Sequence, residues 1–417
     1  MSKHSFTKYI LRECVSDVID NRGKNPHSYF ANEKYPVIDN YLIQNRIYPD
    51  LKQVKRYINQ EIHDNFLRGY LEKDDVIVTL VGNGICNASL SPSSDVVIIQ
   101  NTIGIKTNKK LENKFLYYYF LHNQKSLVKL DRGSSQPSVN KNDLLDFEIE
   151  IPDIETQKSI SNILSALDAK IELNQRINAE LESMAKTLYD YWFVQFDFPN
   201  EKGKPYKSAG GKMVWNEKLD KEIPEGWDVK PLCKTLKTNL GGTPSTKNPE
   251  YWDNATIPWL NSGDLVEFPI IKSSSFVTKK GVDNSATTIL PKGSVVISLV
   301  RYIRPSIIAL EACANQSVVG IRETEELKSS FIYPYLVNEI PRLMSLRTGA
   351  QQPHINKEVI DDSPLCIPPA NVLKEYYKVS ELIYKKIINV AFESQTLTEL
   401  RDWLLPMLMN GQVRVYT

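Results

Sequence analysis

Two apolar spacings alternate along the chain, and each occurs twice. DVIVTLV at 75–81 and SVVISLV at 294–300 are short, unbroken, β-branched runs, which predict strands buried on both faces. The second spacing is helical. From Asp153 to about Trp192 there is neither Pro nor Gly, and apolar residues fall three and four apart at Ile160, Leu164, Leu167, Ile171, Ile177, Leu181, Met184 and Leu188, with Asn174 in the seam. That spacing predicts one long helix with a coiled-coil stripe. Asp153 is placed to cap it, and Glu155 puts negative charge in the first turn, where the helix dipole favours it. A second stripe (Leu373, Tyr376, Val379, Ile383, Ile387, Val390, Leu397, Leu400, Leu404) predicts a second helix from about Asn371 to Leu405, closed by Pro406.

The alternation is part of an internal repeat. GSSQPSVNK at 133–141 returns as GAQQPHINK at 349–357, and Ile151-Pro152 returns as Ile367-Pro368 at the same offset. QNTIGIK at 100–106 matches QSVVGIR at 316–322, and GKNP at 23–26 matches GGTP at 241–244. Pro36-Val37-Ile38-Asp39 pairs with Pro258-Trp259-Leu260-Asn261. The period far exceeds the roughly 20–50 residues of a solenoid, so one domain type is used twice. The expected fold is α+β, with two similar globular domains separated by two long antiparallel coiled-coil helices in a pseudo-two-fold repeat. The boundaries read as a domain at 1–150, a helix at 151–196, a linker and second domain at 197–366, a helix at 367–409 and a tail at 410–417. Within them, 198–226 is rich in Gly, Pro and charge and reads as an exposed connection. A helix of about 38 residues spans roughly 57 Å, enough to hold two readers about one DNA turn apart. The heptads alone favour a coiled coil in a scaffold or a dimer; the repeat of the whole unit shifts the weight towards a spacer.

Composition narrows the function. Of 417 residues, 41% are hydrophobic and 24% charged, which is globular. Lys plus Arg total 51 against 50 Asp plus Glu, too even for a protein that merely coats a polyanion. The five Cys form no CxxC pair, and no apolar stretch reaches membrane-spanning length, so free buried thiols in a cytoplasmic protein are expected. No GxxxxGK[ST], HExxH, GxSxG or strand-linked GxGxxG is present. Asn248-Pro249-Glu250-Tyr251 only superficially resembles the Asn-Pro-Pro-Tyr of amino-methyltransferases and reads as a turn. These absences argue for a binding subunit rather than an enzyme, with no metal site.

The Gly-rich loops and local basic clusters carry groups able to touch bases or phosphates. Asn and Gln bond adenine bidentately, and Arg and Lys bond guanine. The candidates are Arg22, Lys24, Asn83, Asn87, Arg132, Ser138 and Lys141 in the first copy, and Thr243, Ser245, Lys247, Arg301, Arg304, Arg347, Gln351, His354 and Lys357 in the second. The Gly, Gln, Pro and Asn shared between copies lean towards structure. The unshared residues, Ser138 against His354 and Asn83 with Asn87 against Arg301 with Arg304, are better placed to set specificity. On the helices, Leu167, Ile171, Asn174, Ile177, Leu181, Ile387, Val390 and Leu397 are candidates for partner binding.

GGTPSTKNPEYWDNATIPWLNSGDL at 241–265, LDAKIELNQRINAELESMAKTLYDYWFVQFDFP at 167–199, IPEGW at 223–227 and the two Gly-loop-to-Ile-Pro junctions together resemble the specificity subunits of type I restriction-modification systems. The resemblance covers nearly the whole chain. It implies two target-recognition domains, each reading half of a split double-stranded DNA site, and helices that set the spacing and dock two methyltransferase subunits. It further implies S-adenosylmethionine on those subunits, ATP and Mg on restriction subunits, and a non-catalytic chain carrying no cofactor. The second helix lacks the LNQRI pattern of Leu173–Ile177, so the two docking surfaces differ. The other reading of the same helices is a coiled-coil adaptor with two peptide-binding domains.

Overall fold

Buried on every side, the run at 75–81 forms the strand Val76–Thr79, and its counterpart at 294–300 forms Val295–Ser298. The computed structural model describes residues 6–23, 26–133, 135–349, 351, 353–413 and 415; Lys24 and Gln352 lie outside them. The chain divides into two units, residues 1–172 with 396–417, and residues 173–395.

In the first unit the strands are Thr7–Ile10 (β1), Val15–Ile19 (β2), Val76–Thr79 (β3), Ala88–Leu90 (β4), Thr102–Thr107 (β5) and Glu148–Ile151 (β6). An antiparallel sheet runs in the order β2-β5-β3-β4, and β1 pairs with β6 apart from it. Helix Asn113–Val128 (α1) lies against β3 and β4 and buries six successive residues, Phe115 to Phe120. The second unit repeats this plan with Asp228–Pro231 (β7), Thr238–Leu240 (β8), Val295–Ser298 (β9), Pro305–Ile307 (β10), Val318–Ile321 (β11) and Pro364–Ile367 (β12). Its sheet order is β8-β11-β9-β10, and β7 pairs with β12. Register is kept as well: Val76 faces Ile105 and Val78 faces Ile103, as Val295 faces Ile321 and Ile297 faces Val319. A one-residue slip would exchange the side chains between the two faces of the sheet, so the preserved register makes the sequence repeat a structural one.

Two long helices, Ile154–Tyr189 (α2) and Ala370–Met409 (α3), each give residues to both units. Asp153 caps α2 as expected, its carboxylate accepting from the Thr156 N–H at 3.0 Å. The helices run antiparallel within each unit. In the first, Ile160 and Leu164 share a core with Leu408 and Met409, and Asp168 accepts from the Arg401 guanidinium at 2.8 Å and the Tyr118 hydroxyl at 2.6 Å. In the second, the Asn174 amide donates to Glu393 at 3.0 Å and the Asn178 amide to the Ile387 carbonyl at 3.3 Å.

Each helix is moored to its domain at the same place by a different residue. Gln157, fully buried, donates to the Lys110 carbonyl (3.0 Å) and the Pro152 carbonyl (2.8 Å) and accepts from the Glu112 N–H (2.9 Å). Its repeat equivalent is Leu373, which can do none of this. Tyr377, one turn further along α3, supplies the missing bonds: its hydroxyl donates to the Glu326 carbonyl (2.8 Å) and accepts from the Lys328 N–H (3.0 Å). Residues 326 and 328 are the repeat equivalents of 110 and 112. Beside Leu373 and Tyr377 this leaves a cavity of about 340 Å³.

Several expectations are corrected. The segment 198–226 is folded rather than a bare connection: Phe198 stacks between Tyr206 and Trp227, Met213–Asn216 pairs with Lys221–Pro224, and Ile223 is buried. Aromatic packing there outweighs the Gly and Pro content. Pro406 sits inside α3 instead of closing it. A Pro in a helix costs about 3 kcal/mol, but burial of Leu408 and Met409 beyond it offsets that. The boundary at 410 is likewise not a plain tail, since Val413 packs on the first unit's core. Met184, Val379 and Leu400 leave the helix seam, being 56%, 46% and 41% exposed; near Met184 the 3.6-residue turn puts Ala185 and Tyr189 inward instead. Cys233 is exposed, while Cys14, Cys86 and Cys313 are buried. The described residues contain no helix long and apolar enough to cross a membrane and no cluster of side chains able to hold a metal ion.

Glu182 on α2 is a half-buried acid with no hydrogen-bond partner among the described residues, near Tyr333 and Tyr384, and desolvation pushes its carboxyl up to about 7. The folded state therefore favours the protonated acid, and stability falls as pH rises from about 4 to 7. Glu182→Gln is expected to stabilise the fold at pH 8 by roughly 1 kcal/mol after solvent screening, read as a higher thermal midpoint, with the gain vanishing at pH 4. Tyr377→Phe removes two bonds at a part-exposed site where water can replace them and should cost about 0.5–1.5 kcal/mol in urea unfolding, whereas Gln157→Ala, at a fully buried site, should cost about 1–3 kcal/mol.

Candidate nucleic-acid interface

The Gly-rich loop of the first unit hangs from the end of β3. The Val139 N–H donates to the Leu80 carbonyl at 2.8 Å and the Gly82 N–H to the Pro137 carbonyl at 2.9 Å. Inside the loop, the Asp131 carboxylate accepts from the N–H groups of Gly133 and Ser138, both at 2.8 Å. The Ser138 and Gly133 bonds hold that carboxyl below its ordinary range. A Cβ on Gly133 would lie 1.8 Å from the Gln136 carbonyl oxygen, so only Gly fits. The result is a rigid turn that presents Gln136 at an exposed tip. A Cβ built on Gly82, whose φ is +93°, would lie 3.4 Å from both the Gln136 and the Asn40 amide nitrogens, so two amides converge on that glycine.

The second unit uses the same frame. The Ile355 N–H donates to the Leu299 carbonyl at 3.0 Å and the Arg301 N–H to the Pro353 carbonyl at 3.1 Å. Thr348 and His354 exchange backbone bonds of 2.9 Å across the loop. Arg301 thus stands where the first unit has Gly82, and it too has positive φ, +59°. The next residue, Tyr302, is 64% exposed, and the Arg304 guanidinium lies over its ring at 4.9 Å. The Arg347 guanidinium braces the turn, donating to the carbonyls of Arg301 (3.1 Å) and Met344 (3.0 Å).

The structure sorts the remaining candidates. Arg22 and Lys141 both pair with Asp20, and their hydrogen bonds hold the Asp20 carboxyl far below its usual range. Arg132 pairs with Asp143 at 2.8 Å but its side chain is 74% exposed; such a pair is weak enough to be exchanged for a phosphate. Lys357 pairs with Asp361 on its own short helix, and Thr243 bonds Gln316. Lys247, Ser245, Gln351 and Asn83 are exposed, and Ser138 and His354 are half-buried at matching bridges to Val81 and Val300. Asn87 is corrected: its amide donates to the Ile43 carbonyl (3.0 Å) and accepts from Gln124 (2.6 Å), so it holds the β3–β4 turn instead of facing a ligand. Asn140 caps the helix Lys141–Leu145, as its place in the repeat implied. Asn248 likewise caps the turn Pro249–Tyr251.

The helix candidates for partner binding divide into covered and half-covered positions. Ile171, Asn174, Ile387 and Val390 are buried within this chain, and Leu167, Ile177, Leu181 and Leu397 are half-buried. The exposed large apolar residues on the two helices are a different set: Ile163, Leu173, Met184, Val379, Leu382, Phe392, Leu400 and Trp403. Sequence reasoning also passed over Asn40 and Tyr302. The signal for Tyr302 was present, an aromatic between two arginines in RYIR; nothing local marked Asn40, which a long connection brings to Gly82.

Chemically, each mouth offers donors and acceptors on a rigid backbone turn, suited to base edges and phosphates rather than to bond making. Comparison with known proteins agrees. A family model described as the type I restriction modification DNA specificity domain matches residues 15–183 and 224–396, one copy in each half of the repeat. The chain is 29% identical over 343 residues to the type I restriction enzyme MjaIX specificity subunit of Methanocaldococcus jannaschii, covering 78% of this chain and 77% of that one. It is 23% identical over 357 residues to the HindI specificity subunit of Haemophilus influenzae, covering 72% and 77%. In fold it is similar to the crystal structure of a type I S subunit from M. genitalium, with a TM-score of 0.64 over 100% of this chain and 98% of that one, at 15% identity.

Asp131→Ala should free the loop it ties. Hydrogen exchange at the Gly133 and Ser138 amides is expected to accelerate by at least about tenfold while the β3 and β5 amides keep their protection.

Proposed function

The chain belongs to the family of type I restriction modification DNA specificity proteins, and from that premise we propose that each of its units reads one half of a two-part DNA site. The observation that carries this reading is the duplicated mouth. Both units build the same backbone frame at the end of the same strand, then line it differently, with amides in the first and with Arg and Tyr in the second. A conserved frame with divergent lining suits two readers of unlike sequences. The near-neutral charge fits as well, because specificity rests on base contacts while phosphate contacts mainly position the protein.

We further propose that α2 and α3 set the gap between half-sites, since each contributes to both units, and that their exposed apolar residues dock two methyltransferase subunits. S-adenosylmethionine would then belong to those subunits, and ATP with Mg to restriction subunits of the larger complex. This chain's part is recognition and assembly. Its residues orient and hold the DNA, and the chemistry is done by its partners.

With a methyltransferase partner present, gel shifts should show preference for one split sequence, with affinity falling steeply as salt rises. Inserting about four residues, one turn, into either long helix should alter the tolerated gap and leave both half-site sequences unchanged. Binding without sequence preference would overturn the proposal, and changed half-site bases in the insertion variant would overturn the spacer role.

A further inference from the structure

We infer that the two units read different base chemistries, the second contacting a guanine through Arg301 and the first an adenine through the Gln136 and Asn40 amides. The inference rests on the reading of the chain as a DNA specificity subunit and names what each mouth recognises.

The argument starts from one backbone position seen twice. Gly82 and Arg301 follow the same strand, and each donates its N–H to the loop proline, at 2.9 and 3.1 Å. The frame requires a left-handed residue there, with φ of +93° in one unit and +59° in the other. Glycine meets that requirement without strain, as the first unit shows. An arginine in the left-handed region is strained, and nothing in the frame calls for its side chain. Its main chain makes the structural bonds: the N–H to Pro353 and the carbonyl accepting from Arg347. Among the described residues the exposed Arg301 guanidinium has no ion pair. A side chain kept at a strained turn, exposed and unpaired, is there for something outside the fold.

Its counterparts indicate what that is. Over Gly82 the first unit places the Asn40 and Gln136 amides, and an amide carries the donor and acceptor that match adenine. At the equivalent point the second unit carries a guanidinium, which matches the two acceptors of guanine. A phosphate contact alone could have been made from Arg304, three residues on and not in the left-handed region. The neighbouring Tyr302, held under Arg304, adds a flat face beside the reading group.

Arg301→Gly tests this without threatening the fold, because it restores the residue that the first unit uses. The variant is assembled with its methyltransferase partner, and methylated sites are mapped in a methylation-free host. The expected result is loss of one guanine requirement in one half-site, with the other half-site unchanged. On duplexes of the wild-type site, 7-deazaguanine at that position should weaken the wild-type complex about 10- to 100-fold and leave the variant unaffected. Gln136→Ala should relax an adenine in the opposite half-site. An Arg301→Gly complex that still demands every base overturns the guanine assignment. So does one that weakens equally on all sequences with a salt slope lower by about one, which would make Arg301 a phosphate contact. A Gln136→Ala complex unchanged in preference, or relaxed at a G·C pair, overturns the adenine assignment. If the wild-type complex shows no sequence requirement at all, the specificity reading itself fails, a result separate from any of these.

Discussion

Two backbone hydrogen bonds at the end of each central strand govern the rest of the molecule. They tie a Gly-rich loop to the strand, from 139 to 80 and from 82 to 137 in one unit, and from 355 to 299 and from 301 to 353 in the other. Backbone groups make these bonds, so side chains around them are free to differ. That freedom is what lets one frame be used for two surfaces. The strand beneath supplies rigidity, since Val76, Ile77 and Val78 are fully buried and so are Val295, Val296 and Ile297. The main chain of such a turn has little freedom left to lose, whatever its side chains meet.

The helix moorings follow the same logic with a different outcome. Two backbone groups left over beside each helix start must be bonded or lose about 1–3 kcal/mol. One copy meets this with Gln157, the other with Tyr377 from the following turn. The demand comes from the backbone and is conserved; the residue that meets it is not. Divergence of the two copies has been confined in this way to side chains that can be exchanged around fixed main-chain requirements.

Much of the fold was legible in the sequence. The buried strands, both helices, their antiparallel pairing and the duplication all follow from apolar spacing and repeated strings. The misreadings have local physical causes. Composition marked 198–226 as a connection because Gly and Pro are visible in sequence, whereas the stacking of Phe198 between Tyr206 and Trp227 is not. Pro406 reads as a stop, yet burial of Leu408 and Met409 carries the helix past it. The site was legible only in outline. The loops were identified, but a string cannot show that Asn87 is spent on Ile43 and Gln124, or that Asn40 meets Gln136 over Gly82. Of the helix seam residues, Ile171, Asn174, Ile387 and Val390 are covered within the chain itself, which the sequence cannot show, because spacing marks a stripe as covered without saying by what.

The last turn of α3 places Leu408 and Met409 in the core of the first unit, against Ile160 and Leu164. A ribosome therefore makes most of that unit early and its closing residues only after the entire second unit has emerged. During synthesis the first unit waits with part of its apolar interior open, and the second completes itself first. A chain broken off shortly before residue 404 would keep the later-made unit whole and leave the earlier-made one unsealed.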